Sequence, residues 1–254
     1  WMSDNGFFRY TGRLESMQCL VEDYVFDDLN TTSNELVYCG INNLFGEITW
    51  FYPTSTSNTN NRSITYNYLD STRERPIWFT NASSLYQRST WADSAVFGLP
   101  HATKYDAGDD ASFDVVGNTD GVSIYFEHET GVNQQEAGVA AVAIPASITS
   151  GDYDITQDQR EGISFRGDGE FMMRISRIIP DFVSQSEDVI IKLDLRDYPN
   201  DAATTQTYTS TTTTNFIDTR ARARQIALTI SNTAISSNWK LGTFRLDVHS
   251  GGRR

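Results

Sequence analysis

Val189-Ile190-Ile191-Lys192-Leu193-Asp194-Leu195-Arg196 alternates apolar and polar side chains with a period of two. In an extended chain successive side chains point to opposite faces, so Val189, Ile191, Leu193 and Leu195 share one face that has to be buried. The same pattern recurs at Ile48/Trp50/Tyr52, Ile64/Tyr66/Tyr68, Val122/Ile124/Phe126 and Phe244/Leu246/Val248. These runs are rich in the β-branched and aromatic residues that suit a pleated surface. Helical spacing is nearly absent. Ser3-Asp4-Asn5-Gly6, Asn118-Thr119-Asp120-Gly121 and Gly167-Asp168-Gly169 carry the Gly and Asn that tight hairpins need for positive φ. The spacing therefore predicts an all-β chain of antiparallel hairpins.

Sandwich, barrel and propeller all satisfy that pattern. Aromatic density favours part of a β-propeller, in which aromatic side chains fill the space between stacked blades, although no strict internal repeat is present. Trp1–Tyr10 reads as one blade hairpin, Leu36–Asp70 as three successive strands and Ala111–Thr130 as a further hairpin. The Ser/Thr/Asn-rich stretches Thr54–Asn61 and Thr204–Asn215 read as exposed loops. A shift to small residues over Glu136–Ser150 places a boundary, with propeller blades over 1–135. A further antiparallel β region follows over 136–254, belonging to the same propeller or to an adjoining β domain. The opening at Trp1, without a charged and then apolar leader, reads as a fragment of a longer protein with no signal peptide.

Composition excludes several function classes. Thirty-three acidic residues against twenty basic ones leave a net charge of -13 over 254 residues, which disfavours a sequence-independent grip on nucleic-acid phosphates. The longest apolar run, Val139–Pro145, is far too short to cross a membrane as a helix, so no membrane insertion is expected. Cys19 and Cys39 are too few for a disulfide scaffold and read as buried free thiols of a protein made in a reducing cytoplasm. Asn30-Thr31-Thr32, Asn61-Arg62-Ser63 and Asn81-Ala82-Ser83 read as turn chemistry.

The chemistry-bearing residues form no recognisable catalytic set. His101, His128 and His249 lack metal-ligand spacing, and His128 continues the face of Val122, Ile124 and Phe126 as a partly buried histidine bonded to a neighbour. Close acid pairs such as Asp27-Asp28, Asp109-Asp110 and Asp152/Asp154 do not select a facing pair for glycosidase chemistry. Asp152–Asp158 has alternating oxygen ligands but lacks the central Gly and closing Glu of a calcium loop. Arg166-Gly167-Asp168 is more simply a turn. There is no phosphate-binding loop and no nucleophile elbow. No catalytic residue, cofactor or metal site is expected, and the chain reads as a non-enzyme. Trp50, Tyr52, Tyr66 and Tyr68 read as core aromatics. Period two places Arg220, Arg222 and Arg224 on the face that carries Ile226, Leu228 and Ile230, a candidate subunit interface.

Four segments carry a family resemblance. Asn43-Leu44-Phe45-Gly46-Glu47-Ile48-Thr49-Trp50-Phe51-Tyr52-Pro53 followed by Ser63-Ile64-Thr65-Tyr66-Asn67-Tyr68 resembles the tail hub or nozzle proteins of short-tailed bacteriophages, which stabilise packaged DNA. Tyr125–Gly131, Arg177–Asp181 and Trp239–Asp247 follow in the order found in that family, and Gly251-Gly252-Arg253-Arg254 is similar to its C-terminus. The resemblance implies a structural virion protein made in the host cytoplasm. It would be a homo-oligomer forming a ring below the portal, in contact with neighbouring tail and connector proteins. Double-stranded DNA would pass through it without specific binding. Two rival readings are a receptor-binding tail protein, with Trp78 and Trp91 as platforms for host glycan, and a propeller-type polysaccharide hydrolase.

Overall fold

The computed structural model describes residues 1–82, 86–106, 122–135, 140–158, 162–164 and 170–253. Strands occupy 52% of the structure against 6% helix, and the sheets are antiparallel, the class expected from the alternation. The chain divides into two compact units, Trp1–Gly131 and Val132–Arg254. No closed propeller or barrel forms among the described residues. No helix among them is long and apolar enough to cross a membrane.

The first unit contains three meanders in chain order. Strands β1 (Met2–Ser3), β2 (Gly6–Tyr10) and β3 (Leu14–Met17) form one sheet, followed by the short helix α1 (Glu22–Phe26). Strands β4 (Tyr38–Asn42), β5 (Glu47–Tyr52), β6 (Arg62–Asn67) and β7 (Ile77–Asn81) form the second. The third comprises β8 (Thr90–Ala92), β9 (His101–Asp106) and β10 (Val122–Glu127). Ser3 pairs with Gly6, so Asp4-Asn5 is a two-residue hairpin turn as its composition requires. β10 pairs back onto β9, with Val122 opposite Asp106. The expected turn at 118–121 and the greater part of the expected 111–130 hairpin lie outside the described residues.

The β4–β7 sheet is covered on both faces. Trp50, Tyr52 and Ile64 point to one side and are buried with Phe7 and Val25. Here Phe7 lies 5.1 Å from Trp50 and 4.6 Å from Trp78, ring to ring, in the tilted geometry that aromatic quadrupoles favour. Phe51 points to the other side, where Trp91 of β8 stacks on it at 5.9 Å. Gly40 makes that approach possible, because a β-carbon there would fall 2.5 Å from the Trp91 ring. Trp50 and Tyr52 are core as expected, and Tyr66 is partly buried, but Tyr68 is 39% exposed. Strand β6 ends at Asn67, whose side chain accepts from Leu69 N and Asp70 N and turns the chain away. Cys19 is buried and free as expected, whereas the free thiol of Cys39 is exposed on β4, an edge strand of its sheet.

The second unit is a two-layer sandwich. One layer orders β13 (Ala146–Thr149), β21 (Gln225–Asn232), β18 (Val189–Arg196) and β19 (Thr204–Ser210) side by side. The other sets β16 (Phe171–Ile179) between β20 (Ile217–Ala223) and β23 (Arg245–Arg253). Three two-stranded ribbons complete it: β11 (Asn133–Gln134) with β12 (Val142–Ala143), β14 (Thr156–Asp158) with β15 (Gly162–Ser164), and β17 (Phe182–Gln185) with β22 (Trp239–Leu241). Val189, Ile191 and Leu193 are fully buried and Leu195 nearly so, packed against Met173, Ile175 and Ile178 of the facing layer. Each such large side chain contributes about 1.5–3 kcal/mol through loss of apolar surface to water.

The two polar stretches behave differently from expectation. Thr204–Ser210 is β19, in register with β18 from Val189↔Ser210 to Leu195↔Thr204. Backbone pairing and β-branched Thr make a strand there without an apolar composition. The Thr54–Asn61 loop buries Thr54 and Asn60. Asn61 accepts from Thr54 N at 2.8 Å and donates to Thr54 Oγ1 at 2.9 Å, and Asn60 donates to Leu36 O at 2.7 Å. Side-chain amides thus replace the burial that its composition lacks.

Trp50→Ala should therefore lower unfolding free energy by about 3–5 kcal/mol, the usual consequence of emptying a large aromatic site. Tyr68→Ala should change it by less than about 1 kcal/mol. Urea unfolding of the two variants beside the wild type checks the contrast, and equal effects would contradict the burial difference.

Candidate functional site

The arginine stripe begins on β20. Its inward positions are Thr219, Ala221 and Ala223, all buried, so Arg220 and Arg222 face outward. Past the bend at Arg224 the chain enters β21, where Ile226, Leu228 and Ile230 are inward. Odd-numbered residues face the core before the bend and even-numbered ones after it. This corrects the single shared face expected for Arg220, Arg222, Arg224 and the three apolar residues. Its cause is a change of sheet, since β20 pairs with β16 and β21 pairs with β18. Arg224 sits at the corner, half-buried, its amide donating to Arg196 O at 3.2 Å and its guanidinium 5.4 Å from the centre of the Tyr198 ring.

The outer face of the β20–β16–β23 sheet instead brings in a residue that the stripe did not contain. Arg174 of β16 is exposed and lies directly opposite Arg222 on one side and His249 on the other. Alternation within Phe171–Ile179 places Arg174 outward, but only the strand register sets it beside Arg222. The next row is neutralised. Arg177 donates to Asp218 at 2.8 Å. Ser176 donates to Asp247 at 2.8 Å, and His249 Nε2 lies 3.3 Å from the same carboxylate. Exposed pairs of this kind contribute about 0–1 kcal/mol each. They align the strands rather than stabilise them strongly.

The polar face of the β4–β7 sheet forms a second feature. A cavity of about 140 Å³ is lined by Glu47, Thr49 and Thr65 of that sheet and by Arg88, His128 and Glu129 from the third meander and its flanking chain. Thr49 and Thr65 bond to each other at 2.8 Å across the strands. Arg88 is buried, its guanidinium 3.8 Å from the Phe126 ring centre and its Nε donating to His128 Nε2 at 3.0 Å. Burial, then the Arg88 charge, pushes His128 down to about 3, so it is neutral and accepts this bond. The expected histidine bonded to a neighbour is thus found. Burial pushes the Glu47 carboxyl up to about 6, and the nearby Glu129 adds to the rise. Burial also raises Glu129, against the opposing donation from Asn42 at 2.9 Å.

The remaining sequence candidates are engaged in local structure. Trp78 donates to Gln18 O at 2.9 Å and packs on Phe7 and Tyr66, while Trp91 donates to Ile41 O at 2.8 Å. Both indole N–H groups are thus taken up by backbone carbonyls. His101 bonds to the Tyr125 hydroxyl. Asp152 pairs with Arg196 at 2.8 Å, and Tyr153 bridges to Ile226, so Asp152–Asp154 is tied to the sandwich. No group of three or more His, Cys, Asp or Glu suited to a metal ion occurs among the described residues. Asp109, Asp110 and Arg166–Asp168 lie outside those residues. In comparisons with known proteins, no family model and no curated protein matches this chain.

Glu47 gives the unit a defined pH response. A carboxyl raised in the fold contributes its stability below the ordinary carboxylate range and loses it as pH rises through about 6. Glu47→Gln should therefore raise the melting temperature relative to the wild type at pH 8 and leave it nearly unchanged at pH 4.5. Thermal unfolding at the two pH values checks this, and a larger gain at the lower pH would reverse the assignment.

Proposed function

We propose that this chain is a non-catalytic structural component of a bacteriophage tail hub or nozzle. It helps to form the tube below the portal that retains and conducts packaged DNA. The observation that carries the reading is where the four resembling segments lie. They meet in pairs inside each unit. Asn43–Tyr68 supplies β5 and β6, and Glu47 within it lines the same cavity as Glu129 of Tyr125–Gly131. In the second unit Gly242 N donates to Asp181 O at 3.0 Å and Arg245 pairs with Asp181 at 2.6 Å, joining Trp239–Asp247 to Arg177–Asp181. Segments that hold each unit together suit a family whose common property is architectural.

The net charge of -13 supports a conduit through which a polyanion passes without sticking. Strand-rich units, whose backbone groups pair within sheets, suit a wall that resists internal pressure. A polysaccharide hydrolase is less well supported. The cavity that holds Glu47 and Glu129 measures about 140 Å³, below the roughly 300 Å³ at which small-molecule pockets begin.

Imaging of intact particles carrying a tagged copy of the chain tests the proposal. Density for the tag is expected on the central tail axis beneath the portal, in several symmetry-related copies. A peripheral position on the tail appendages, or absence from purified particles, would overturn it.

A further inference from the structure

Arg174, Arg220 and Arg222 stand together on the outer face of the β20–β16–β23 sheet, and none of them makes an ion pair among the described residues. Asp197 and Asp201 line the same groove of about 380 Å³ as Arg220 and Arg222. Neither is in ion-pair contact with them, and Asp201 accepts from Tyr198 N at 3.0 Å. The other acids of this face, Asp218 and Asp247, are taken up by Arg177, Ser176 and His249. Like charges directly opposite on adjacent strands repel. An anionic partner relieves that repulsion.

Charge is divided unequally along the chain. The first unit holds eighteen acidic residues against seven basic ones, and the second holds fifteen against thirteen. Around α1 of the first unit, Glu22, Asp23, Asp27 and Asp28 fall within seven residues, and none makes an ion pair among the described residues. Asp27 N donates to Asp23 O at 3.0 Å, so these two residues share one face of the helical turn, and both are exposed. Side chains four apart on a helix have β-carbons about 5–6 Å apart. Alternate residues on a strand, such as Arg220 and Arg222, lie about 6.5–7 Å apart. The two spacings differ by about 1 Å, a gap that long, flexible arginine side chains can span.

We propose that the Arg174, Arg220 and Arg222 face of one copy docks head to tail on the Glu22–Asp28 segment of a second copy. The proposal deepens the tail-ring reading and rests on it for the closure of the chain of contacts. Joining two different surfaces is a heterologous contact, and such contacts close into a ring when the rotation between copies divides a full turn. Arginine suits this surface because its fork binds carboxylates bidentately and tolerates desolvation better than the lysine ammonium does. Neither patch makes an ion pair among the described residues, and each has the sign that the other needs.

The test compares four forms of the full chain by analytical ultracentrifugation over a concentration series, with circular dichroism to establish folding. They are the wild type, Arg220→Glu/Arg222→Glu, Asp23→Lys/Asp27→Lys and the combination of all four changes. Wild-type self-association should weaken by more than about tenfold in each double variant and recover in the combination, where the charges are exchanged. Wild-type association should also weaken with salt, as the Debye length falls from about 10 Å at 0.1 M to about 3 Å at 1 M. Arg220→Gln/Arg222→Gln serves if the charge-reversed form does not fold, and it should show a smaller loss in the same direction. A wild type that stays monomeric, or a combination that fails to recover, overturns the docking. So does retention of duplex DNA that disappears with Arg220→Glu/Arg222→Glu while self-association persists. Failure here with the chain still imaged on the tail axis removes the docking alone. An off-axis position with charge exchange intact removes the hub reading instead.

Discussion

At Arg224 the chain leaves one layer of the second unit and enters the other, and the core of that unit depends on the crossing. A two-sheet sandwich has to keep both inner faces directed at the same interior while its strands are joined by covalent chain. β20 and β21 are nearly continuous in sequence, so a strict period of two would turn one of them inside out. The bend at Arg224 adds the half-step that keeps Ala221 and Ala223 inward on one side and Ile226, Leu228 and Ile230 inward on the other. The bond from Arg224 N to Arg196 O ties this corner to the end of β18, whose inward residues Val189, Ile191 and Leu193 are fully buried. Alanine on β20 leaves room for the large side chains of β18 in the facing layer.

In the first unit the comparable constraint is a sheet with two unlike covers. Its apolar face is closed by aromatic contacts around Phe7, which are tolerant of orientation and require little hydrogen bonding. Its other face carries Thr49, Ser63 and Thr65, so the layer above it has to satisfy polar groups. Arg88 illustrates the result. Its charge is held away from water by the Phe126 ring and a neutral histidine, an environment that burial alone makes unfavourable, pushing the guanidinium down to about 10. Polar pairing of this kind specifies one arrangement of the two layers more strictly than apolar packing does.

The proposed docking gives the unpaired charges a role. Salt-bridged rows on the outer sheet face are self-sufficient, whereas Arg222 and Arg174 make no ion pair among the described residues, the Asp247 carboxylate lying beside His249 instead. A protein with an excess of acid keeps copies apart at long range, so the proposed association would rely on short-range contact between complementary patches inside a Debye length. Charge placement of that kind governs which surfaces meet more than how tightly they hold.

Period-two alternation in the sequence determined the all-β class, because burying one face of a strand imposes a pattern that no helix shares. It also picked out Val189, Ile191, Leu193 and Leu195, together with Trp50 and Tyr52, as core. Local chemistry sufficed for the Ser3–Gly6 turn. Alternation could not show that β19 is a strand, since its stability comes from backbone pairing with β18 and not from apolar content. Nor could it show that Tyr68 lies past the end of β6, because Asn67 turns the chain through bonds to residues that follow it. Arg220, Arg222 and Arg224 were legible as a candidate interface, but their neighbours were not. Arg174 joins Arg222 through strand register, and Arg224 parts from both through a change of sheet. Register and sheet exchange are set by contacts between residues tens of positions apart, and the tertiary structure alone decides them.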